Sequence, residues 1–294
     1  MYRNILINNP ARIYQKNHQL VVEVEAIHRF PIEDIATLVI DNQQTSITTN
    51  CLNMLAEQGV CVIVCDDKHM PSGCLMPVSA YSRRLPMLKL QLSLPKVKIK
   101  HLWQQIIKQK IANQGKCLEL IGHEDNVSIL TARVKSGDTD NVEGVAAARY
   151  FKNMFGDMFA RDDDIPINGL LNYGYAIIRA YIARQISAYG LETSVGLFHH
   201  SELNNFNLAD DIIEPFRPVV DLQVASMGEG EELNPKNKSQ LIGVLSHDVS
   251  LNGEKQPVSY AIEKVVQNLI RCFKGEADTL ILPKLLPIEV HRYE

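Results

Sequence analysis

The hydrophobic period changes once along this chain, and that change sets what it can fold into. Between residues 3 and 66 the apolar residues come in runs of strand length. Asn4-Ile-Leu-Ile-Asn8 is followed by the turn signal Asn9-Pro10. In residues 19–25, apolar Leu20, Val22 and Val24 alternate with polar Gln19, Glu23 and Glu25, which predicts a strand with one buried face. Residues 35–40 and 60–65 are β-branched runs, and residues 49–58 between them predict a short helix stopped by Gly59. Beyond the breakers Pro71-Ser-Gly73 and Leu94-Pro95, the spacing becomes helical. Ile99, Leu102, Trp103, Ile106, Ile107, Lys110 and Ile111 share one stripe, predicting an amphipathic helix with lysines on its other side and Trp103 in the core. Further helices are expected over 127–136, 141–156, 168–189, 207–226, 234–246 and 257–274, with Glu229-Gly-Glu-Glu232 as a loop and 253–257 as a turn. The expected architecture is two-domain: a small N-terminal β-rich, sandwich-like domain with its linker (1–90), then a larger all-α C-terminal domain (91–294). Nothing in the first clusters nucleophile, base and acid, so it reads as a scaffold or pairing domain.

Length agrees, since 294 residues exceed one typical domain. No apolar run reaches the roughly 18 residues of a membrane span, and Met1-Tyr-Arg-Asn-Ile-Leu lacks a signal-peptide layout, so a cytoplasmic protein is expected. Six cysteines at 51, 61, 65, 74, 117 and 272 form no CxxC pair, which points to free thiols in a reducing compartment. A P-loop and a dinucleotide fingerprint are both missing from the sequence, which removes support for ATP-driven and nicotinamide chemistry.

The net charge of −4 conceals a segregation. From Lys68 to Leu118 there are ten Lys or Arg and no Asp or Glu; the other 20 basic residues share the chain with all 34 acidic ones. A phosphate backbone calls for local positive charge and a divalent metal for local negative charge, so one chain carrying both suits metal-assisted phosphodiester chemistry. A basic face serving solubility or an acidic protein partner would give the same count.

The acidic side concentrates between Gly196 and Pro218. Here His199 and His200 precede Asp210, Asp211 and Glu214, and Arg217 lies between prolines. Leu208, Ile212 and Ile213 recur at helical spacing, so the three carboxylates fall within about one turn, a crowding that a cation would relieve. Imidazole nitrogen with hard carboxylate oxygens suits Mg²⁺ or Mn²⁺, and no cysteine is near to suggest structural zinc. A solvated acidic helix face is the plainer alternative. Pro215 removes a backbone donor, so the helix should bend near Glu214, aiming Arg217 at a phosphate or into a carboxylate pair. Upstream, residues 138–141 offer helix caps that place Glu143 in a first turn, with Gly144 and three alanines behind it.

The run Gly-Leu-Phe-His199 followed by Leu208-Ala-Asp-Asp-Ile-Ile-Glu214-Pro-Phe-Arg217-Pro resembles the signature of the CRISPR-associated integrase family. Asn141-Val-Glu143-Gly-Val-Ala-Ala-Ala-Arg-Tyr-Phe151 is similar to that family's other acidic motif, and Asn168-Gly-Leu-Leu-Asn-Tyr173-Gly-Tyr175 to its central helix. The length and the Phe-His-His wording are most similar to type II systems.

This resemblance implies that Glu143, His199 and Glu214 are the catalytic metal ligands, with Asp210, Asp211 and His200 around them; a shift of one residue would exchange His200 for His199 as the ligand. It implies Mg²⁺ or Mn²⁺ as cofactor, and attack of a DNA 3′-hydroxyl on a phosphodiester that inserts short fragments as new spacers into a CRISPR repeat array. Attack by water at the same site would cut DNA. Candidate DNA contacts are Arg83, Arg84, Lys89, Lys96, Lys98 and Lys100 from the basic stretch, with Asn168, Tyr173 and Arg217. Implied partners are double-stranded DNA with 3′-OH ends, repeat DNA, a second copy in a homodimer, a small second adaptation subunit completing a heterohexamer, and, in type II systems, the large effector nuclease. Two other functions fit the same residues: a stand-alone structure-selective repair nuclease, and a non-catalytic DNA-binding scaffold.

Overall fold

The computed structural model describes residues 3–76, 84–228 and 230–289. Arg83, and Glu229 at the head of the acidic loop, lie outside the described residues. The chain divides into two compact units, Met1–Ser82 and Arg83–Glu294.

In the first unit the short β-branched runs become strands: β1 (Arg3–Ile7), β2 (Arg12–Lys16), β3 (Gln19–Glu23), β4 (Ile27–Pro31), β5 (Ile35–Ile40) and β6 (Ser46–Ile47). Helix α1 (Thr49–Glu57) follows, then β7 (Cys61–Cys65) and β8 (Pro71–Cys74). One sheet has the order β1-β5-β7-β8, parallel except for β8; the other has β4-β3-β2-β6. β5, apolar at every position but Thr37, is buried along its whole length. Thr48 caps α1 by accepting from Cys51 N, and Gly59 follows the helix at φ 79°, a conformation open to glycine without a Cβ clash. In β3, Val21 is buried as fully as Leu20, while Val24, past the strand's end, is exposed; the expected one-sided alternation is therefore replaced by a strand covered on both faces.

The second unit is mostly helical. Its elements are α2 (Arg84–Leu92), α3 (Lys96–Leu120), α4 (Val142–Phe155), α5 (Pro166–Ala188), α6 (Asn207–Ile213), α7 (Arg217–Met227) and α8 (Pro235–Gly243). A short sheet with the order β10-β9-β11 packs near α9 (Val258–Lys274); its strands are β9 (Asp248–Leu251), β10 (Glu254–Pro257) and β11 (Lys284–Leu285). The expected turn at 253–257 narrows to Asn252-Gly253, both at positive φ, and the rest is strand.

α2 is fastened to its own unit by Gln91. Its side chain donates to the Glu192 and Val195 carbonyls at 2.9 and 2.6 Å and accepts from Glu192 N. Residues 127–136 are a 3₁₀ turn (Ser128–Arg133) and a loop rather than an α-helix. Asp125 takes the Val127 and Ser128 amides, and Gly137 turns the chain at φ 76°.

α3 is the axis of this unit. Leu102, Trp103, Ile106, Ile107 and Ile111 are buried along it, and Asn113 satisfies distant backbone, donating to the Pro215 and Pro283 carbonyls at 2.7 and 3.0 Å and accepting from Leu285 N. The helix expected over 207–226 breaks where proline removes an amide donor: α6 ends at Ile213, Glu214–Phe216 form one 3₁₀ turn, and α7 starts at Arg217.

Candidate metal centre

Glu143 enters from the first turn of α4. Asp138, itself buried, accepts from the Val142 and Glu143 amides at 3.0 and 2.9 Å, and Asn141 accepts from Gly144 N, so the orphan donors of this helix start are satisfied. Glu214 enters from the 3₁₀ turn and is 3 % exposed. Lys110 of α3 meets both: its Nζ lies 2.5 Å from Glu143 Oε1 and 2.5 Å from Glu214 Oε2. Arg217 completes the group, its Nε donating to Glu214 Oε1 at 3.0 Å while its guanidinium lies 4.6 Å from the Tyr175 ring centroid.

Burial favours the uncharged forms of Lys110, Glu214 and Arg217, and their mutual attraction outweighs it. For Glu214, burial pushes upward, but Arg217 and Lys110 together hold its carboxyl well below the usual range. For Lys110, burial pulls downward and the Glu214 and Glu143 carboxylates raise it above the ordinary lysine value. Lys110, Glu214 and Arg217 are thus charged at neutral pH.

His199 is positioned by Asp211. This carboxylate is fully buried and accepts from the backbone amides of Leu197 (2.5 Å), Phe198 (3.2 Å) and His199 (3.1 Å), and its Oδ1 is 2.8 Å from His199 Nδ1. Only glycine fits at 196, because a Cβ there would lie 2.3 Å from the His199 carbonyl oxygen and 2.8 Å from Asp211 Oδ2. The Asp211 hydrogen bond raises the imidazole's pKa, with burial opposing it. Trp103, which precedes Lys110 on the buried stripe of α3, stacks on Phe198 at 4.4 Å and meets the His199 ring edge-on at 5.9 Å.

The remaining residues singled out from sequence have separate fates. His200 is exposed. Asp210 turns toward α5, pairing with Arg179 at 2.9 Å and accepting from Asn204 at 2.7 Å. Asn168 is buried, donating to the Ala160 and Asp163 carbonyls and accepting from Arg161, and Tyr173 is fully buried. Both belong to the interior, since α5 is buried around most of its circumference there. Arg84, Lys89, Lys96 and Lys100 are exposed and Lys98 is half-buried.

Two residues were not singled out from sequence. Lys110 lies on the apolar stripe of α3, where a lysine was itself a signal. Asp221, in the apolar run Val219-Val220-Asp221-Leu222, is buried and hydrogen-bonded to the Tyr150 hydroxyl at 3.0 Å and to the Tyr175 hydroxyl.

The donors fit a divalent ion in kind. Two carboxylates already share a cation, Glu214 Oε2 is buried without a well-aligned hydrogen bond, and engagement of Nδ1 by Asp211 leaves Nε2 as the imidazole's other coordinating atom. Among the described residues, no three His, Cys, Asp or Glu side chains converge closely enough to hold a metal as they stand. The ammonium of Lys110 lies between the carboxylates instead.

The class of protein, a CRISPR-associated endonuclease, is shown by family membership, and the strand-rich unit followed by a mostly helical unit agrees with it. More specifically, the family profile described as "CRISPR associated protein Cas1" matches residues 5–248, and the chain belongs to that family. It is 39 % identical over 302 residues to the CRISPR-associated endonuclease Cas1 of Neisseria meningitidis serogroup C (strain 8013), covering 100 % of this chain and 99 % of the relative. Among solved structures, a casposase bound to integration product is similar with a TM-score of 0.79, 20 % identity, and coverage of 95 % of this chain and 92 % of that one. A chain of a partial Cas6-RT-Cas1–Cas2 complex shares the fold with a TM-score of 0.61, 18 % identity, and coverage of 97 % and 100 %.

Proposed function

We infer that this chain, a CRISPR-associated endonuclease by family, joins the 3′-OH ends of short DNA fragments to a CRISPR repeat, using a divalent ion held by Glu143, His199 and Glu214. The observation that carries this reading is the meeting of Glu143 and Glu214, from separate elements, on one cation position. Mg²⁺ or Mn²⁺ bound by these three residues would neutralise a scissile phosphate and lower the pKa of the attacking hydroxyl. The protein's own groups prepare that chemistry. Asp211 fixes the imidazole's orientation, Arg217 holds Glu214 ionised, and the Asp138 cap fixes the helix start that carries Glu143. Exposed Arg84, Lys89, Lys96 and Lys100, with half-buried Lys98, supply positive charge for the phosphate backbone. When a DNA 3′-hydroxyl attacks, a new phosphodiester forms as the target's 3′-oxygen leaves; when water attacks, the strand is cut.

The casposase and Cas1–Cas2 structures support DNA and a small second subunit as partners. Pairing through the strand-rich unit, two dimers bridged by the second subunit, contact with a type II effector nuclease and a cytoplasmic setting complete the reading. No helix of the described residues is long and apolar enough to cross a membrane.

The test is a strand-joining assay. The purified chain, with and without its partner subunit, is given Mg²⁺ or Mn²⁺, labelled duplex fragments with 3′-OH ends and repeat-containing DNA. Joined products that need the partner and the 3′-hydroxyl support the reading. Cleavage of branched DNA by the chain alone, with no joining, would favour a repair nuclease instead.

A further inference from the structure

Two carboxylates brought together, buried Glu214 and half-buried Glu143, need a compensating positive charge, and a buried ion pair that loses one partner leaves the other uncompensated. Here that charge is built into the fold. Lys110 is 7 % exposed, whereas Lys96, Lys100, Lys108 and Lys116 of the same helix are exposed. Its Nζ stands 2.5 Å from one oxygen of each glutamate, donating to Glu143 Oε1 and pairing with Glu214 Oε2.

We propose that Lys110 is an internal counter-cation of the metal centre: in the metal-free chain its ammonium holds the place between Glu143 and Glu214 that the divalent ion takes, and metal entry displaces it. Charge counting supports an exchange rather than an addition. Lys110 and Arg217 already balance the two glutamates, so a divalent ion added beside an unmoved Lys110 would leave an excess of two positive charges in a buried site. A lysine suits the exchange, because its ammonium is a point charge on a flexible stem that can withdraw, unlike the forked and aromatic-backed Arg217. Two consequences follow. The apo chain keeps its catalytic carboxylates assembled, and metal binds the free chain weakly because it competes with a resident charge.

This inference rests on the metal reading above, and the test separates the two. Mn²⁺ is titrated by calorimetry into wild type and Lys110→Met, and both are melted in EDTA and in Mn²⁺. Lys110→Met should melt about 5 °C or more below wild type in EDTA, as expected for an uncompensated buried charge. It should recover that loss in Mn²⁺ and bind Mn²⁺ about tenfold tighter or better, since removing a resident charge unmasks the carboxylates. Lys110→Arg, which keeps the charge and serves if Lys110→Met does not fold, should show no tightening. Equal Mn²⁺ affinity and equal metal-induced melting gain in wild type and Lys110→Met would overturn the displacement while leaving the metal reading intact; so would a tightening in Lys110→Arg. Absence of Mn²⁺ binding in all the proteins would overturn both.

Discussion

His199 Nδ1 lies 2.8 Å from Asp211 Oδ1, and that carboxylate also gathers the backbone amides of Leu197, Phe198 and His199. One buried charge therefore fixes both the imidazole and the loop that carries it. Asp211→Asn should lower strand joining by roughly 10- to 100-fold, the usual cost of losing the partner that orients a ligand imidazole. Near-wild-type joining would mean that the imidazole's orientation is irrelevant to the reaction.

Gly196 makes this arrangement sterically possible. Gly196→Ala puts a Cβ into the His199 carbonyl and the Asp211 carboxylate, so the loop must shift. Strand joining should fall at least about tenfold, since small misplacements at a reacting centre are costly. Melting should change less than in an Asp211 variant. A kinetic comparison at saturating metal checks this.

Asp221 gives a pH signature away from the metal ligands. Burial raises its carboxyl from 3.8 to about 6, although the Tyr175 and Tyr150 hydroxyls oppose the shift. The folded chain thus holds this proton more tightly than the unfolded chain. Its stabilising contribution is fully present below about pH 4, is lost as pH rises toward 6, and is constant above. Denaturant melts of wild type and Asp221→Asn at pH 4, 5, 6 and 7 should show wild type losing on the order of 1–3 kcal/mol relative to the variant between pH 4 and 6. A pH-independent difference would mean that Asp221 is ionised throughout.

The basic stretch predicts a salt effect. Reversing the charge at Lys96, Lys98 and Lys100 should weaken DNA binding and flatten its dependence on salt, by about one unit of slope for each phosphate that the chain no longer neutralises. Titrations at several salt concentrations measure both quantities. An unchanged slope would remove the start of α3 from the DNA interface.

Much of this molecule was readable because local signals and tertiary context agreed. The β-branched runs became strands, Gly59 ended α1, the stripe from Leu102 to Ile111 became the buried face of α3, and Pro215 broke its helix where the missing amide required. Lys110 and Asp221 were hidden for the opposite reason. Each is a charged residue in an apolar register, and only partners distant in sequence, Glu143 and Glu214 for one and Tyr150 and Tyr175 for the other, make its burial tolerable. The β9–β11 sheet was obscure because β11 is two residues long and pairs across the whole of α9. Asn168 and Tyr173 matched a motif but not a surface. Their positions on α5 face the interior, which sequence spacing on a mostly apolar helix does not reveal.

The central claim is that Glu143 and Glu214 hold a divalent ion used on DNA. Its most direct measurement is the binding of Mn²⁺ to wild type, Glu143→Gln and Glu214→Gln, followed by calorimetry and by the loss of the free-ion electron paramagnetic resonance signal. The predicted result is one ion per wild-type chain and no measurable binding in either variant over the same range. Undiminished Mn²⁺ uptake by both variants would contradict the claim.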